Sequence, residues 1–336
     1  MAAPGLLAFP RMMHARLDGH YRDDRRYPAA IVNVTNRCNL ACRHCFVFRD
    51  GNPNAAPVSV RDEPDDDAIL DTLRALRERH GIVSMLWMGG EPLLRRRLLA
   101  RGIPLFERNT ITTNGTVPLV DFGPEVLYVV SLDGPEDVND ALRGEGTHRR
   151  VLRNLDRLPP DFASPVQVQC VVTRRNERRI AELVAGLRDT RVGWLTFSFY
   201  VPRSGEESVD AWPTIADRAW AVREVMRLKR LHGGFVRNST RSLELMLPPH
   251  ATRVTQACPA RDLVLPLYLE GDRFVTPFCC YGNDVDCSRC GAWVVFDLAA
   301  RAEARTPAGG PPSHPVERAA GSFPGRRSPH NRQAES

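Results

Sequence analysis

Three cysteines stand in one short stretch, Cys38-Asn-Leu-Ala-Cys42-Arg-His-Cys45, directly after the strand-like run Ala30–Val34. Thiolates are soft ligands, and three this close can hold three corners of a cube-shaped iron–sulfur cluster. They cannot close a structural zinc site, which needs a fourth protein ligand. A cluster with one iron left open by the protein can bind a further ligand there, which makes this loop the expected site of chemistry.

Five more cysteines gather late in the chain: Cys258, Cys279, Cys280, Cys287 and Cys290. The last two form a C-x2-C, for which zinc is the default reading. Cys170 stands apart in the apolar run Val166–Val172 and reads first as a small buried group. The stretch Met1–Pro10 lacks the basic start and apolar core of a secretory signal. No run of residues approaches the length of a membrane span. A reducing cytoplasm is therefore expected, where clustered cysteines point to metal rather than disulfides.

The chain has 336 residues, 43% of them hydrophobic, enough for a large core. Its formal net charge is +6, mostly from arginines spread along the chain rather than gathered in blocks. That spread argues for a composition bias and against nucleic acid as the partner. Strands are expected at Ile31–Val34, Ile82–Met88, Asn109–Thr113, Val126–Leu132, Val166–Val172 and Trp194–Phe199, each short and mostly apolar or β-branched. Helical patterns cover Asp66–Arg79, Leu93–Ala100, Val151–Leu158, Arg179–Leu187 and Thr214–Leu231. Strands alternating with helices imply a parallel sheet. Six units fall short of a closed eight-stranded barrel, so the fold class is α/β, a partial (β/α)6 TIM-like barrel with a small C-terminal cysteine-rich extension. A hairpin of Leu263–Leu269 with Arg273–Thr276 belongs to that extension. The expected domains are an N-terminal arm over 1–28, a core over 29–235, the extension over 236–300, and a disordered, Pro/Gly/Ser/Arg-rich tail over 301–336.

The cysteine loop resembles the signature of the radical S-adenosylmethionine (radical SAM) enzymes, and three further segments follow in the family's order. Gly89-Gly90-Glu91-Pro92 resembles the GGEP motif. Ser131-Leu132-Asp133-Gly134 with Arg143 resembles the S-x-D-G element and its downstream arginine. Tyr200–Gly205 resembles the stretch near adenine. The resemblance implies a 4Fe–4S cluster on Cys38, Cys42 and Cys45 whose open iron chelates SAM. Electron transfer then cleaves the sulfonium to a 5′-deoxyadenosyl radical that abstracts hydrogen from a substrate. It implies SAM contacts from Gly89, Gly90, Glu91, Pro92, Ser131, Asp133 and Arg143, and from the strand-end residues Thr112, Asn114, Thr173 and Asn176. His44 stands where many relatives carry an aromatic that packs on adenine. Read without the resemblance, Asn114 and Asn176 are equally a turn residue and a helix cap.

In that context the late cysteines resemble a SPASM/Twitch extension with one auxiliary 4Fe–4S cluster on Cys258, Cys279 or Cys280, Cys287 and Cys290. Zinc on the same positions is the alternative. Cys170 could donate a returning hydrogen atom, as a cysteine does in some radical epimerases. The implied partners are a small-molecule (sugar or nucleoside-like) or peptide substrate and an electron donor such as flavodoxin or ferredoxin, with no membrane. The rival function is a non-enzymatic metal-binding regulator, which leaves GGEP and S-x-D-G unexplained.

Overall fold

The computed structural model describes residues 24–49, 64–271 and 273–305. Residues 1–23 of the expected arm and the tail beyond 305 lie outside the described residues. The strands are β1 (Ala29–Asn33), β2 (Ser84–Met88), β3 (Arg108–Thr113), β4 (Val126–Ser131), β5 (Val166–Val172), β6 (Trp194–Phe199), β7 (Val264–Glu270) and β8 (Arg273–Val275). The helices are α1 (Asp66–His80), α2 (Arg96–Gly102), α3 (Glu136–Arg143), α4 (Thr147–Asp156), α5 (Ile180–Leu187), α6 (Ile215–His232), α7 (Thr240–Leu245), α8 (His250–Gln256), α9 (Ala260–Leu263) and α10 (Trp293–Arg305).

Local chemistry explains the helix ends. Asp65 caps α1 by accepting from the Ala68 N–H, and Gly81 ends it in the left-handed region at φ 68°. Thr214 and Asp217 form a capping box at the start of α6. The buried positions Ile69, Leu70, Leu73 and Leu76 lie along one stripe of α1, which turns toward the sheet.

The sheet order is β6-β5-β4-β3-β2-β1-β7-β8. The six expected strands run parallel in sequence order, as an open barrel of βα units requires. One alternate set of side chains, including Val32, Trp87, Ile111, Val130, Val168, Cys170 and Phe197, packs outward in the core beneath the helices. The opposite set faces the barrel interior, and its members Ile31, Leu86, Met88, Thr112 and Ser131 stay half-buried.

Two features differ from expectation. The late hairpin is present, but β7 also pairs in parallel with β1, with Ile31 opposite Pro266. A hairpin's turn is local in sequence, whereas its second edge finds a partner more than two hundred residues away. The tail reading is corrected at its start. Residues 301–305 belong to α10, because Ala299–Arg305 is a run of strong helix formers that the tail's average composition hides. Trp293 of α10 donates from Nε1 to Ser242 Oγ at 3.0 Å and so ties the helix to α7.

The segment between β8 and α10 spans the open side of the barrel. The Gly291 carbonyl accepts from Phe199 N–H at 2.9 Å, and the Asp284 carbonyl from Ser204 N–H at 2.7 Å. The cysteine-rich segment therefore links β8 back to β6, the other edge of the sheet. Among the described residues, no helix is long and apolar enough to cross a membrane.

Candidate active site

The loop carrying Cys38, Cys42 and Cys45 leaves the C-terminal end of β1, and all three thiols are half-buried. Four sets of contacts fix it. Its entry packs on the Gly89-Gly90 turn after β2: Gly90 N–H donates to the Thr35 carbonyl at 2.7 Å and Glu91 N–H to the Arg37 carbonyl at 2.8 Å. Asn36 Nδ2 reaches the Leu269 carbonyl of β7 at 3.2 Å. Arg43 N–H donates to the Leu142 carbonyl of α3 at 2.9 Å. At the loop's exit, buried Arg49 donates to the carbonyls of Val201 and Tyr281 at 2.9 and 3.0 Å.

The glycines serve this docking rather than leaving room for a ligand. A Cβ on Gly90 would lie 2.2 Å from the Arg37 carbonyl oxygen, and one on Gly89, at φ 155°, 2.6 Å from that of Thr35. Gly90→Ala must therefore push the cysteine loop outward. Overpacking of this kind costs about 1–3 kcal/mol. We expect a lower urea midpoint together with reduced iron uptake, measured by denaturation and metal analysis.

Two side-chain networks meet the sulfurs. On one side, Asn114 Nδ2 donates to Asn39 Oδ1 at 2.9 Å and lies 3.9 Å from Cys38 Sγ, while Asn39 Nδ2 donates to Thr116 Oγ1 at 2.8 Å. On the other, Asp133 is fully buried. Its Oδ2 accepts from Arg143 Nε at 2.6 Å and lies 3.0 Å from His44 Nε2. Its Oδ1 accepts from Val171 N–H at 2.8 Å. Arg143 Nη1 lies 4.0 Å from Cys42 Sγ. Burial alone would raise the Asp133 carboxyl, but Arg143 and His44 outweigh it and hold the group well below the usual carboxylate range. Burial pushes the Cys38 thiol up to about 11 and raises Cys42 as well, so binding a metal must displace their protons.

Residues 32–193 match the Radical SAM superfamily. The chain carries a radical SAM domain. Pre-heme d1 synthase of Dinoroseobacter shibae is 30% identical over 47% of this chain and 39% of its own length. Mycofactocin maturase MftC of Mycobacterium tuberculosis is 32% identical over 47% of this chain and 43% of its own. The chain thus spans less than half the length of these two curated relatives. Streptococcus suis SuiB bound to its precursor peptide SuiA superposes with a TM-score of 0.56 at 16% identity, over 72% of this chain and 58% of that one. The radical SAM domain implies SAM and a 4Fe–4S cluster, and the loop fits such a group. Three half-buried thiols lie close enough to interact electrostatically, with amide and guanidinium N–H groups aimed at two sulfurs. Among the described residues, no three His, Cys, Asp or Glu side chains converge on a single-ion position. A cubane binds each thiolate through a different iron, so it takes wider spacing than one ion does.

The remaining motif residues of this radical SAM domain divide into two groups. Thr112 and Ser131 are half-buried on inward-facing positions of β3 and β4. The others are engaged by the protein. The Glu91 carboxylate is fully buried and accepts from Leu93 N–H at 3.0 Å, Thr113 Oγ1 at 2.8 Å and Asn114 N–H at 2.8 Å. Pro92 is buried at the start of the short 3-10 turn that Glu91 caps. Asn176 Nδ2 donates to the carbonyls of Asp133 and Val171 at 2.8 and 2.9 Å, and its Oδ1 accepts from Thr173 N–H at 2.7 Å. Both Asn176 and Thr173 are fully buried. His44 points Nε2 at Asp133, while its Nδ1 is buried and has no partner among the described residues. Its imidazole therefore anchors the loop from behind. Cys170 is fully buried on the outward face with Val168 and Val172, so a hydrogen-donor role facing the barrel interior does not fit its position.

All five late cysteines line one cavity with Phe278, Tyr281 and Arg261. Burial pushes the Cys280 and Cys290 thiols up to about 12. Sequence reading missed Asn39, Thr113, Thr116 and Arg49. Only Asn39 carried a signal, as a polar residue inside the cysteine loop.

Proposed function

We propose that the chain is a radical SAM enzyme acting on a peptide or small-molecule substrate, with Cys38, Cys42 and Cys45 holding the SAM-binding cluster. The observation that carries this reading is the half-buried cysteine loop clamped at the inner end of an open parallel barrel. When bound, the cluster and SAM supply one-electron cleavage of the sulfonium and hydrogen abstraction from an unactivated C–H bond. The chain's own residues position and shield. Asn114 and Arg143 donate toward the cysteine sulfurs, favouring the thiolate form and setting the cluster's electronics. Arg143 spends two of its five N–H donors on Asp133 and Cys42. The others are available to a cofactor carboxylate, beside Ser131 and Thr112. Glu91, His44, Thr173 and Asn176 act as supports that hold these donors in place.

The relatives include a pre-heme d1 synthase and a mycofactocin maturase, and SuiB was solved with a precursor peptide, which supports a peptide or small-molecule substrate. The inward row Gln167, Thr196 and Ser198 would meet its polar groups. Gln167 Nε2 donates to Thr196 Oγ1 at 2.6 Å. A flavodoxin- or ferredoxin-type protein would supply the electron.

We further read the late cysteines as an auxiliary 4Fe–4S site formed by Cys258, Cys279 or Cys280, Cys287 and Cys290. The cavity they share supports this reading, as does its position across the barrel's open side. On this view the functional core covers 29–235 and the extension 236–300, although β7 of the extension is bonded to β1.

The test is anaerobic reconstitution followed by dithionite and SAM. The expected result is release of 5′-deoxyadenosine from a protein holding about eight irons per chain. No release from a protein with intact clusters would favour a regulator instead. About four irons plus one zinc would refute the auxiliary cluster while leaving the first site standing.

A further inference from the structure

Arg218 of α6 is 2% exposed. Its Nη1 donates to the carbonyls of Arg289 and Cys290 at 3.2 and 2.8 Å. Its Nε and Nη2 are buried and have no partner among the described residues. The Phe199 ring lies 5.8 Å from its guanidinium carbon. The only opposing charge that bears on it among the described residues is the Cys290 sulfur, when ionised. A buried guanidinium with two unpartnered donor nitrogens and no carboxylate is costly, and proteins rarely leave one so.

The missing negative charge has an evident place. Cys290 lines the cavity with Cys258, Cys279, Cys280 and Cys287, and no carboxylate lines it. A second cation stands on its other side: Arg261 Nη2 lies 3.6 Å from Cys287 Sγ. A coordinating thiol is deprotonated outright. Four thiolates around a metal group would therefore give Arg218 its countercharge.

We propose that Arg218 is the buried countercharge of the metal–thiolate group on the late cysteines, a positioning residue that favours that group's reduced state. The inference rests on the auxiliary-cluster reading above. A 4Fe–4S centre that accepts one electron, with no proton, gains one unit of negative charge. A fixed cation in a low-dielectric setting stabilises the more negative state and raises the potential.

The experiment uses the full chain with Cys42→Ala, which removes the other centre's signal, and compares Arg218→Met and Arg218→Lys within it. The auxiliary centre is titrated with dithionite against mediators and followed by electron paramagnetic resonance. At the unsubstituted midpoint, Arg218→Met should lower the ratio of reduced to oxidised centre at least about tenfold, equivalent to about 59 mV for a one-electron couple. Arg218→Lys, which keeps the charge, should hold that ratio. Loss of the centre in Arg218→Met but not in Arg218→Lys also supports the countercharge, because charge then decides retention. Loss in both, or about four irons with an unmoved midpoint in Arg218→Met, overturns the inference alone. One zinc and no iron in the Cys42→Ala chain overturns the auxiliary-cluster reading and the inference with it.

Discussion

Cys42→Ala is expected to reduce release of 5′-deoxyadenosine to the background of SAM with dithionite alone, and Cys38→Ala or Cys45→Ala should do the same. The reason is geometric. The three thiols lie in one loop whose entry, middle and exit are each bonded to a different part of the barrel: the Gly89-Gly90 turn, α3, and the segment after β6. The loop cannot slide to recruit a replacement ligand, and the remaining cysteines are turned elsewhere. Cys170 faces outward in the core, and the other five share a separate cavity. Removing an outer-shell partner of a metal site costs about 10–100-fold in affinity or activity, and removing a ligand costs more. Iron should fall from about eight to about four per chain, with the auxiliary centre retained. Cys287→Ala or Cys290→Ala should show the opposite pattern, sparing much of the SAM cleavage. A Cys42→Ala chain that still releases 5′-deoxyadenosine above background would overturn the assignment of this loop.

How far the sequence revealed this site depends on how local each feature is. Cys38, Cys42 and Cys45 lie within eight consecutive positions, so their spacing carries the ligand pattern without any knowledge of the fold. The strands of the parallel sheet were legible because they are short and rich in β-branched or aromatic residues, as in Val166–Val172, where Gln167 and Gln169 alternate with Val166, Val168 and Cys170. Alternation along that same run also places Cys170 with Val166, Val168 and Val172, and so gave a readable sign that its thiol points away from the barrel interior. What stayed hidden is pairing across the fold. Asp133 was legible as part of S-x-D-G, but nothing in the sequence says that its carboxylate reaches His44 in a different loop. Gly89 and Gly90 were legible as part of a GGEP-like motif, but nothing local says that an added Cβ at either would meet the Thr35–Arg37 backbone. The parallel pairing of β7 with β1 had no local signal, because a strand's hydrogen-bonding edge does not depend on its side chains.

The second large effect should come from Asp133→Asn. This carboxylate faces both Arg143 and His44 in that buried cluster, and it also holds the β5 backbone through Val171. Neutralising it leaves the Arg143 guanidinium buried without its partner. Breaking a buried pair by removing one member costs about 3–5 kcal/mol. With a urea m-value near the upper end of about 1–3 kcal/mol/M, the midpoint should fall by at least about 1 M. The pH dependence has a definite sign. The folded carboxyl titrates below its unfolded value of about 3.9, so its stabilisation is fully present above that value. It disappears only as pH falls through the folded value. The loss in Asp133→Asn should therefore be seen at neutral pH and should shrink in strong acid, where the native protein loses the same charge. The partner substitution separates the ion pair from mere packing. Arg143→Met alone leaves Asp133 its contact with His44, and Asp133→Asn with Arg143→Met removes both charges together. Because the two residues are in direct contact, the double variant should be more stable than the sum of the single losses requires. Additive losses would mean that the bond between Asp133 and Arg143 contributes no coupling of its own to stability.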